Sequence, residues 1–445
     1  MTAYLPMDRE ERREMLASVG VDLDHLFDSI QESQRLKKTD FEGLPAKGLS
    51  ELEVVERLKA LADLNERTDN FDSYLGAGFY DHYQPAAVKH LISRTEYLTA
   101  YTPYQAEISQ GTLQAIFEWQ SYICRLTGMD VSNASMYDGA SAAAEAALMA
   151  CRDKRLYKVF VSEGLHPEYI ETIQTYCEAA DVEVVLGALD EDGKTADFPE
   201  EKGYACFMVQ SPNFYGVVED LSLVVEKAHA VGALAAASCD LISLALLQRP
   251  GDKGVDIVTG EAQALGIPMT FGGPGVGYMA VTQKLLRKMP GRIAGETVDR
   301  DGKTSYVLTI QAREQHIRRE RATSNICTSQ ALMATSATIW LALMGASGIR
   351  DVAEQSAAKA LYLQEKLVAS GLFEKVYDAA VFREFAVKPT GDLDLNKLNK
   401  DLLEEKIFGG LVVDDTMWLL AVTEKKTKQA MDKFVDTVVR LADSQ

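Results

Sequence analysis

An α/β protein built on a buried, mainly parallel sheet is the fold class that this chain predicts. Two observations carry it. Between Lys158 and Val281 short apolar runs alternate with amphipathic helical stretches, and those runs are apolar along nearly their whole length rather than at every second residue. A strand that is apolar on both faces must be covered on both, which helices on each side of a sheet achieve.

The elements follow from local pattern. Residues 1 to about 70 are polar and helical, with Leu52, Val55, Leu58 and Leu61 at helical spacing, and Pro45 and Gly48 separate two helical pieces. This region reads as a packing arm. Ser109–Thr127 places Leu113, Ile116, Phe117, Ile123, Cys124 and Leu126 on one helical face, and Gly128 stands where helices end in left-handed backbone. Ala142–Ala150 is an alanine-rich helix. Lys158–Ser162 (KVFVS) is a strand, Glu168–Ala180 a helix and Val182–Leu186 the next strand. Tyr204–Gln210, Ala233–Ala237, Ile257–Thr259 and Gly277–Val281 supply further strands, with the helix Leu223–Val231 between the first two. Gln330–Met344 and Gly348–Ser370 read as two helices. Phe382–Val387, Leu419–Val422 and the helix Thr427–Ala442 form a small αβ unit. The expected organisation is an arm (1–70), a large α/β domain (71–325), and a linking helix with a small C-terminal domain (326–445).

Composition excludes several classes of function. The net charge of −20 disfavours nucleic acid and anionic membrane surfaces as partners, since both demand a basic face. No window reaches the roughly 18 unbroken apolar residues of a membrane span, and the N-terminus lacks a signal-peptide pattern, so a cytoplasmic location is expected. The six cysteines are scattered with no CxxC pair and read as reduced, mostly buried thiols. The six histidines form no HxxxH or HExxH array, so no protein-built metal site is expected.

Ligands of parallel sheets collect at the carboxyl ends of the strands, which here means the loops after Ser162, Gln210, Ala237 and Thr259. The last of these begins the stretch Asp256–Gly277, DIVTGEAQALGIPMTFGGPGVG. It resembles the segment that carries the cofactor lysine in pyridoxal-phosphate (PLP) enzymes, but it contains no lysine. The candidate position is Gln263, whose amide nitrogen is too weak a nucleophile to form a Schiff base with the cofactor aldehyde. Tyr137–Ser141 opens the alanine helix, where such folds hold the cofactor phosphate on free N–H groups. Gly139 and Ser141 suit a nest and a cap, whereas Asp138 satisfies the helix start itself and would repel a dianion. His166 either stacks on a ring or caps the helix after Pro167. Asp240 is a candidate for the acid that faces a pyridine nitrogen, or else a structural aspartate. Lys253 lies in a solvated turn before a strand and Lys284 follows Val281, so neither reads as a Schiff-base lysine.

Four long segments in order carry a family resemblance: Leu98–Gly111 (LTAYTPYQAEISQG), Asn133–Ala150 (NASMYDGASAAAEAALMA), Leu244–Ala280 and Arg313–Ala334 (REQHIRRERATSNICTSQALMA). Together they are similar to the N-terminal half of the glycine cleavage system P-protein family, over essentially the whole chain, and the length resembles the alpha-type subunit of its two-subunit form. The resemblance implies the PLP-dependent transferase fold type I. In the catalytic half of that family a proline follows the cofactor lysine by five residues, ahead of a Gly-Gly-Pro-Gly. Counting back five from Pro268, with Gly272–Gly275 in register, returns Gln263, and Ala262 takes the place of the flanking histidine. The spacing from Asp240 to Pro250 is shorter than in the catalytic half, which favours a structural aspartate. The resemblance therefore implies a subunit that binds no cofactor, partnered by a PLP-bearing beta subunit. On that partner glycine loses its carboxylate and its aminomethyl group passes to the lipoyl arm of the H-protein. Asp138, Gly139, Ser141, His166, Asp240 and Gln263 would then line a degenerate pocket.

Two further segments read as interface or tunnel lining. Gly76–Tyr83 and Tyr101–Gln105 hold Tyr80, Tyr101, Thr102, Tyr104 and Gln105 in loops pinned by Gly and Pro, which suits a site, a partner surface or an aromatic cluster. Arg313–Arg321, with His316, Arg318 and Arg319, is locally basic and reads as an ion-pair network or as an anion-facing wall. Two other readings stand beside the main one: a scaffold subunit with no role in the active site, and an independent PLP enzyme that uses a different lysine.

Overall fold

The computed structural model describes residues 8–23, 25–35, 47–66, 70–101, 103–322 and 324–443. It divides into two compact units, Met1–Glu66 and Arg67–Gln445. In the first unit the helices α1 (Arg9–Ser18) and α2 (Glu51–Ala62) each begin with a capping box, Asp8 with Glu11 and Ser50 with Glu53. Neither helix buries a residue, and Leu52, Val55, Leu58 and Leu61 are all exposed. Pro45 lies outside the described residues.

The second unit is centred on a seven-stranded sheet. Its strands are β1 (Val131–Ser132), β2 (Lys158–Ser162), β3 (Glu183–Gly187), β4 (Cys206–Ser211), β5 (Leu234–Cys239), β6 (Ile257–Glu261) and β7 (Gly277–Val281), in the order β1-β7-β6-β5-β4-β2-β3. All are parallel except β7, which runs antiparallel to both neighbours. The chain goes from β2 out to β3 at the edge, then returns to the other side of β2 as β4. That reversal opens a crevice at the carboxyl ends of β2 and β4, and this is what positions the site.

Alternate residues of these strands enter different cores, the physical reason the strands read as continuous apolar runs. Met208, Ala236, Ile257 and Met279 pack with the alanines of α4 (Gly139–Lys154). Val209, Ala237, Val258 and Ala280 pack with Trp119 and Ile123 of α3 (Gln110–Thr127) and Trp340 of a long C-terminal helix. The helices α5 (Pro167–Glu178) and α6 (Leu221–Ala230) complete the layers. The helix α3 ends at Gly128 with φ +72°, the left-handed cap that the sequence placed there.

The long helix, α7 (Ala331–Ala369), carries a break at Gly345 (φ 60°, ψ −175°), between the two helices read from the sequence. It is long and apolar enough to cross a membrane, yet 44% of its most apolar window is buried within the fold. Its second half contributes Leu363 and Leu367 to a third core. There they meet a four-stranded antiparallel sheet and the helices Leu395–Glu404 and Lys428–Ala442. A hairpin of Ile293–Val298 with Thr304–Thr309 had no counterpart in the sequence reading. Its signal was present in DRDGK: the Asp299 side chain accepts from the N–H groups of Asp301 and Lys303, each at 2.8 Å. Four of the six cysteines are buried and Cys124 is half-buried, in keeping with a mostly buried set, while Cys327 is exposed on the irregular segment before α7.

Trp340 is fully buried and its Nε1–H donates to the Tyr83 carbonyl at 3.1 Å. Trp340→Ala should cost about 3–5 kcal/mol in reversible denaturant unfolding. A loss below about 1 kcal/mol would contradict the packing described.

Candidate functional site

The crevice at the strand ends is small. Its cavity measures about 60 Å³ and is lined by Tyr80, His166, Tyr169, Asp240, Glu261 and Arg383, among others, with no lysine among the lining residues. Small-molecule sites usually offer about 300–1,000 Å³. What fills the space is the protein's own side chains, among them Tyr80, His166, Asp240, Glu261 and Arg383, each already bonded to another part of the chain.

Gln263, two residues beyond β6, is buried. Its side-chain oxygen accepts from the Tyr80 N–H at 3.0 Å, and its amide nitrogen donates to the carbonyls of Tyr80 at 3.2 Å and Ile267 at 2.7 Å. The amide thus behaves like a peptide group in a ladder, uses both of its hydrogens, and pins the loop Gly76–Tyr83 across the strand ends. A lysine could donate to the two carbonyls but could not accept from Tyr80.

The start of α4 is occupied in the same way. Asp138 caps the helix by accepting from the Ser141 N–H at 2.7 Å. Glu261, the last residue of β6, accepts from the N–H groups of Gly139 at 3.1 Å, Gln263 at 3.0 Å and Val276 at 2.7 Å. Burial pushes the Glu261 carboxyl up to about 7, against the pull of these three backbone donors. A Cβ on Gly139 would lie 2.0 Å from the Tyr169 hydroxyl oxygen, so the aromatic ring also closes this corner. Two carboxyl groups hold the donors that a cofactor phosphate would need, and repulsion adds to that loss. The residues present do not fit PLP.

Beyond the phosphate corner lies a buried ionic chain. Asp240 pairs with Arg383 and accepts from the Ser243 N–H at 2.7 Å. The Arg383 guanidinium stacks 3.5 Å from the centre of the Tyr80 ring and contacts His82 Nε2 at 2.7 Å. Arginine can only donate, so Nε2 accepts and the His82 proton sits on Nδ1, which donates to Glu424 at 2.6 Å. Burial and the nearby Arg383 charge push the His82 value down despite Glu424. Glu384 accepts from the Ala77 N–H at 2.6 Å and the Tyr80 hydroxyl at 2.7 Å, and burial pushes it up to about 7.

His166 caps α5 through Nδ1, which accepts from the Glu168 N–H at 3.2 Å, while Nε2–H donates to the Ala77 carbonyl at 2.9 Å. Gly78 lies so close that a Cβ there would sit 3.2 Å from the imidazole. The loop that Gln263 pins lies against the ring, which caps α5 and lines the cavity. Of the six residues read as a degenerate pocket, His166 and Asp240 line the cavity, whereas Asp138, Gly139 and Ser141 at the start of α4 and Gln263 adjoin it through Glu261 and Tyr80. The sequence reading missed Glu261, His82, Arg383, Glu384 and Glu424. Only Glu261 carried a local signal, an acid at the strand exit facing a helix start.

The expected interface residues do not form one group. Tyr80 is inside the site, Tyr101 and Gln105 are exposed, and Thr102 lies outside the described residues. Tyr104 sits under the Arg292 guanidinium at 3.8 Å and contacts the Ser329 hydroxyl at 3.1 Å. No ring contact joins the two tyrosine segments among the described residues, because Tyr80 is drawn inward by Glu384 and Arg383. The basic segment is divided as well. His316 pairs with Glu314 at 3.0 Å beside Arg292. Arg318 and Arg319 are exposed without a carboxylate partner among the described residues; Arg318 donates instead to the Ala312 carbonyl at 2.9 Å.

Glu384 sets a pH dependence whose sign is fixed by its raised value. The protonated form is favoured in the folded chain, so its contribution is complete below the ordinary value of 4.5 and is lost as pH rises through about 7. Glu384→Gln should flatten the decline of unfolding free energy between those two values. An unchanged slope would contradict the assignment.

The model of the family described as glycine cleavage system P-protein matches residues 2–438. A protein of Desulforamulus reducens named probable glycine dehydrogenase (decarboxylating) subunit 1 is 48% identical over 440 residues, covering 96% of this chain and 97% of that protein. A protein of the same name from Chlorobium phaeobacteroides is 49% identical over 437 residues, covering 96% and 97%. The crystal structure of a glycine decarboxylase (P-protein) of the glycine cleavage system, in inhibitor-bound form, superposes with a TM-score of 0.89 at 38% identity, covering 99% of this chain and 100% of that one. Glutamate decarboxylase of Lactobacillus brevis, 16% identical with a TM-score of 0.66 over 92% of this chain and 95% of that one, shares the fold alone. The fold is the PLP-dependent fold type I, and the chain belongs to the glycine cleavage system P-protein family.

Proposed function

We propose that this chain is the cofactor-free subunit of a two-subunit glycine dehydrogenase (decarboxylating). The observation that supports the reading is that Glu261 holds the start of α4 and that the amide of Gln263, the residue the count from Pro268 puts in register with a Schiff-base lysine, is fully bonded within the chain. Lys253 and Lys284 support no rival site, since neither lines the cavity. When bound on the second subunit, PLP supplies the electron sink for loss of the glycine carboxylate, and the aminomethyl group then passes to the lipoylated H-protein. This chain contributes a rigid body of the same fold. Its exposed Tyr101, Arg318 and Arg319 are the residues offered to the shared face, with the arm over 1–70 as a separate packing element.

The purified chain, alone and with its second subunit, should be assayed for glycine decarboxylation and for loading of the H-protein. The lone chain with added PLP should be inactive and the mixture active; glycine turnover by the lone chain would overturn the reading. Arg318→Ala and Tyr101→Ala in the assembled complex separate a lining role from a scaffold. A lining role predicts a loss of about tenfold or more in kcat/KM with assembly intact. Unchanged kinetics would assign the chain to scaffolding alone.

A further inference from the structure

A second crevice lies beside this small site, at the ends of β4 and β5, with Ser211 and Cys239 among its lining residues. Its volume is about 330 Å³, which is within the range of small-molecule sites. Its lining combines the apolar Val218, Leu221, Leu244 and Leu247 with the cations Lys194 and Lys253.

The charges around this crevice are unevenly committed. Its two acids are turned to backbone donors. Glu219 accepts from the Thr195 N–H at 3.1 Å and the Thr195 hydroxyl at 2.8 Å, and Asp220 accepts from the Ser222 N–H at 2.9 Å. The two lysines are half-buried, and neither side chain has an ion-pair or hydrogen-bond partner among the described residues. That is unusual in a chain with 66 acidic residues against 46 basic ones. Both lysines sit on fixed backbone. Lys194 lies in the hairpin closed by the Leu189–Thr195 bridge, where its N–H donates to Asp190 at 2.9 Å. Lys253 ends the tight turn Pro250–Lys253, before the left-handed Gly254.

We propose that this crevice binds a small organic carboxylate with an apolar body, the headgroup between Lys194 and Lys253 and the body against Leu221, Leu244 and Leu247. The pairing of two uncommitted cations with an apolar lining selects that class. A phosphate dianion is disfavoured, because the N–H groups at the start of α6 are already held by Asp220. The occupant would press on Cys239, the residue before Asp240, so the crevice and the Asp240–Arg383 pair share one strand end.

The test uses the full-length chain and three probes in calorimetric or ligand-observed NMR titrations. Hexanoate has charge and body, hexanol has body only, and inorganic phosphate has charge only. Hexanoate should bind saturably and at least about tenfold more tightly than either of the others. Lys194→Gln together with Lys253→Gln should weaken hexanoate by about tenfold, with circular dichroism and melting unchanged. Should the double variant fail to fold, raising the salt concentration must weaken hexanoate binding to the unaltered chain. Absent or salt-independent hexanoate binding, an unaffected double variant, or phosphate binding more tightly than hexanoate would each overturn the proposal.

Discussion

The free N–H groups at the start of α4 must have an acceptor, because they lie inside the protein, where an unpaired donor costs about 1–3 kcal/mol. Glu261 supplies it. Its carboxyl gathers donors from α4, from the segment after β6 and from the start of β7, so three pieces of backbone converge on one side chain. With the carboxyl in place the loop beyond β6 turns so that Gln263 faces Tyr80. The Gln263–Tyr80 pair then holds the loop Gly76–Tyr83, which in turn lies against His166 and brings Tyr80 under Arg383. The small volume of the cavity follows from this sequence of contacts.

Such a site is expensive to dismantle, and under the proposed function it carries no chemistry of its own. Buried ion pairs add little when compared with apolar packing, but removing one partner strands the other. Asp240, Arg383, His82 and Glu424 form a chain in which each member is satisfied by the next, and the His82 proton is fixed by the requirement that Arg383 donate. A working acid–base site keeps at least one group free to exchange a proton with a substrate. Here the candidate groups are tied to backbone or to each other.

Much of the architecture was legible in the sequence because it follows from local pattern. Apolar runs bounded by turns gave the central strands, Gly128 the end of α3, and the break near Gly345 the division of α7. The position of Gln263 came from spacing to Pro268, within one loop. The residues that close the pocket were not legible, since Arg383 and Glu424 reach the site from the C-terminal sheet and meet Asp240 and His82 across 143 and 342 positions of sequence. No periodicity records such a contact. The two tyrosine-rich loops misled for a related reason: composition marks them as alike, but Tyr80 is drawn inward by an ionic partner whereas Tyr101 has none among the described residues and is exposed.

The account stands on the claim that one of the two fold type I bodies in the assembly has lost the capacity to hold PLP. The most direct measurement is the cofactor content of the assembled two-subunit complex, with PLP released by alkali and counted against both polypeptides. One PLP per pair of subunits is the result predicted. Two per pair would mean that the Glu261 and Gln263 contacts yield to the cofactor, and would contradict the account.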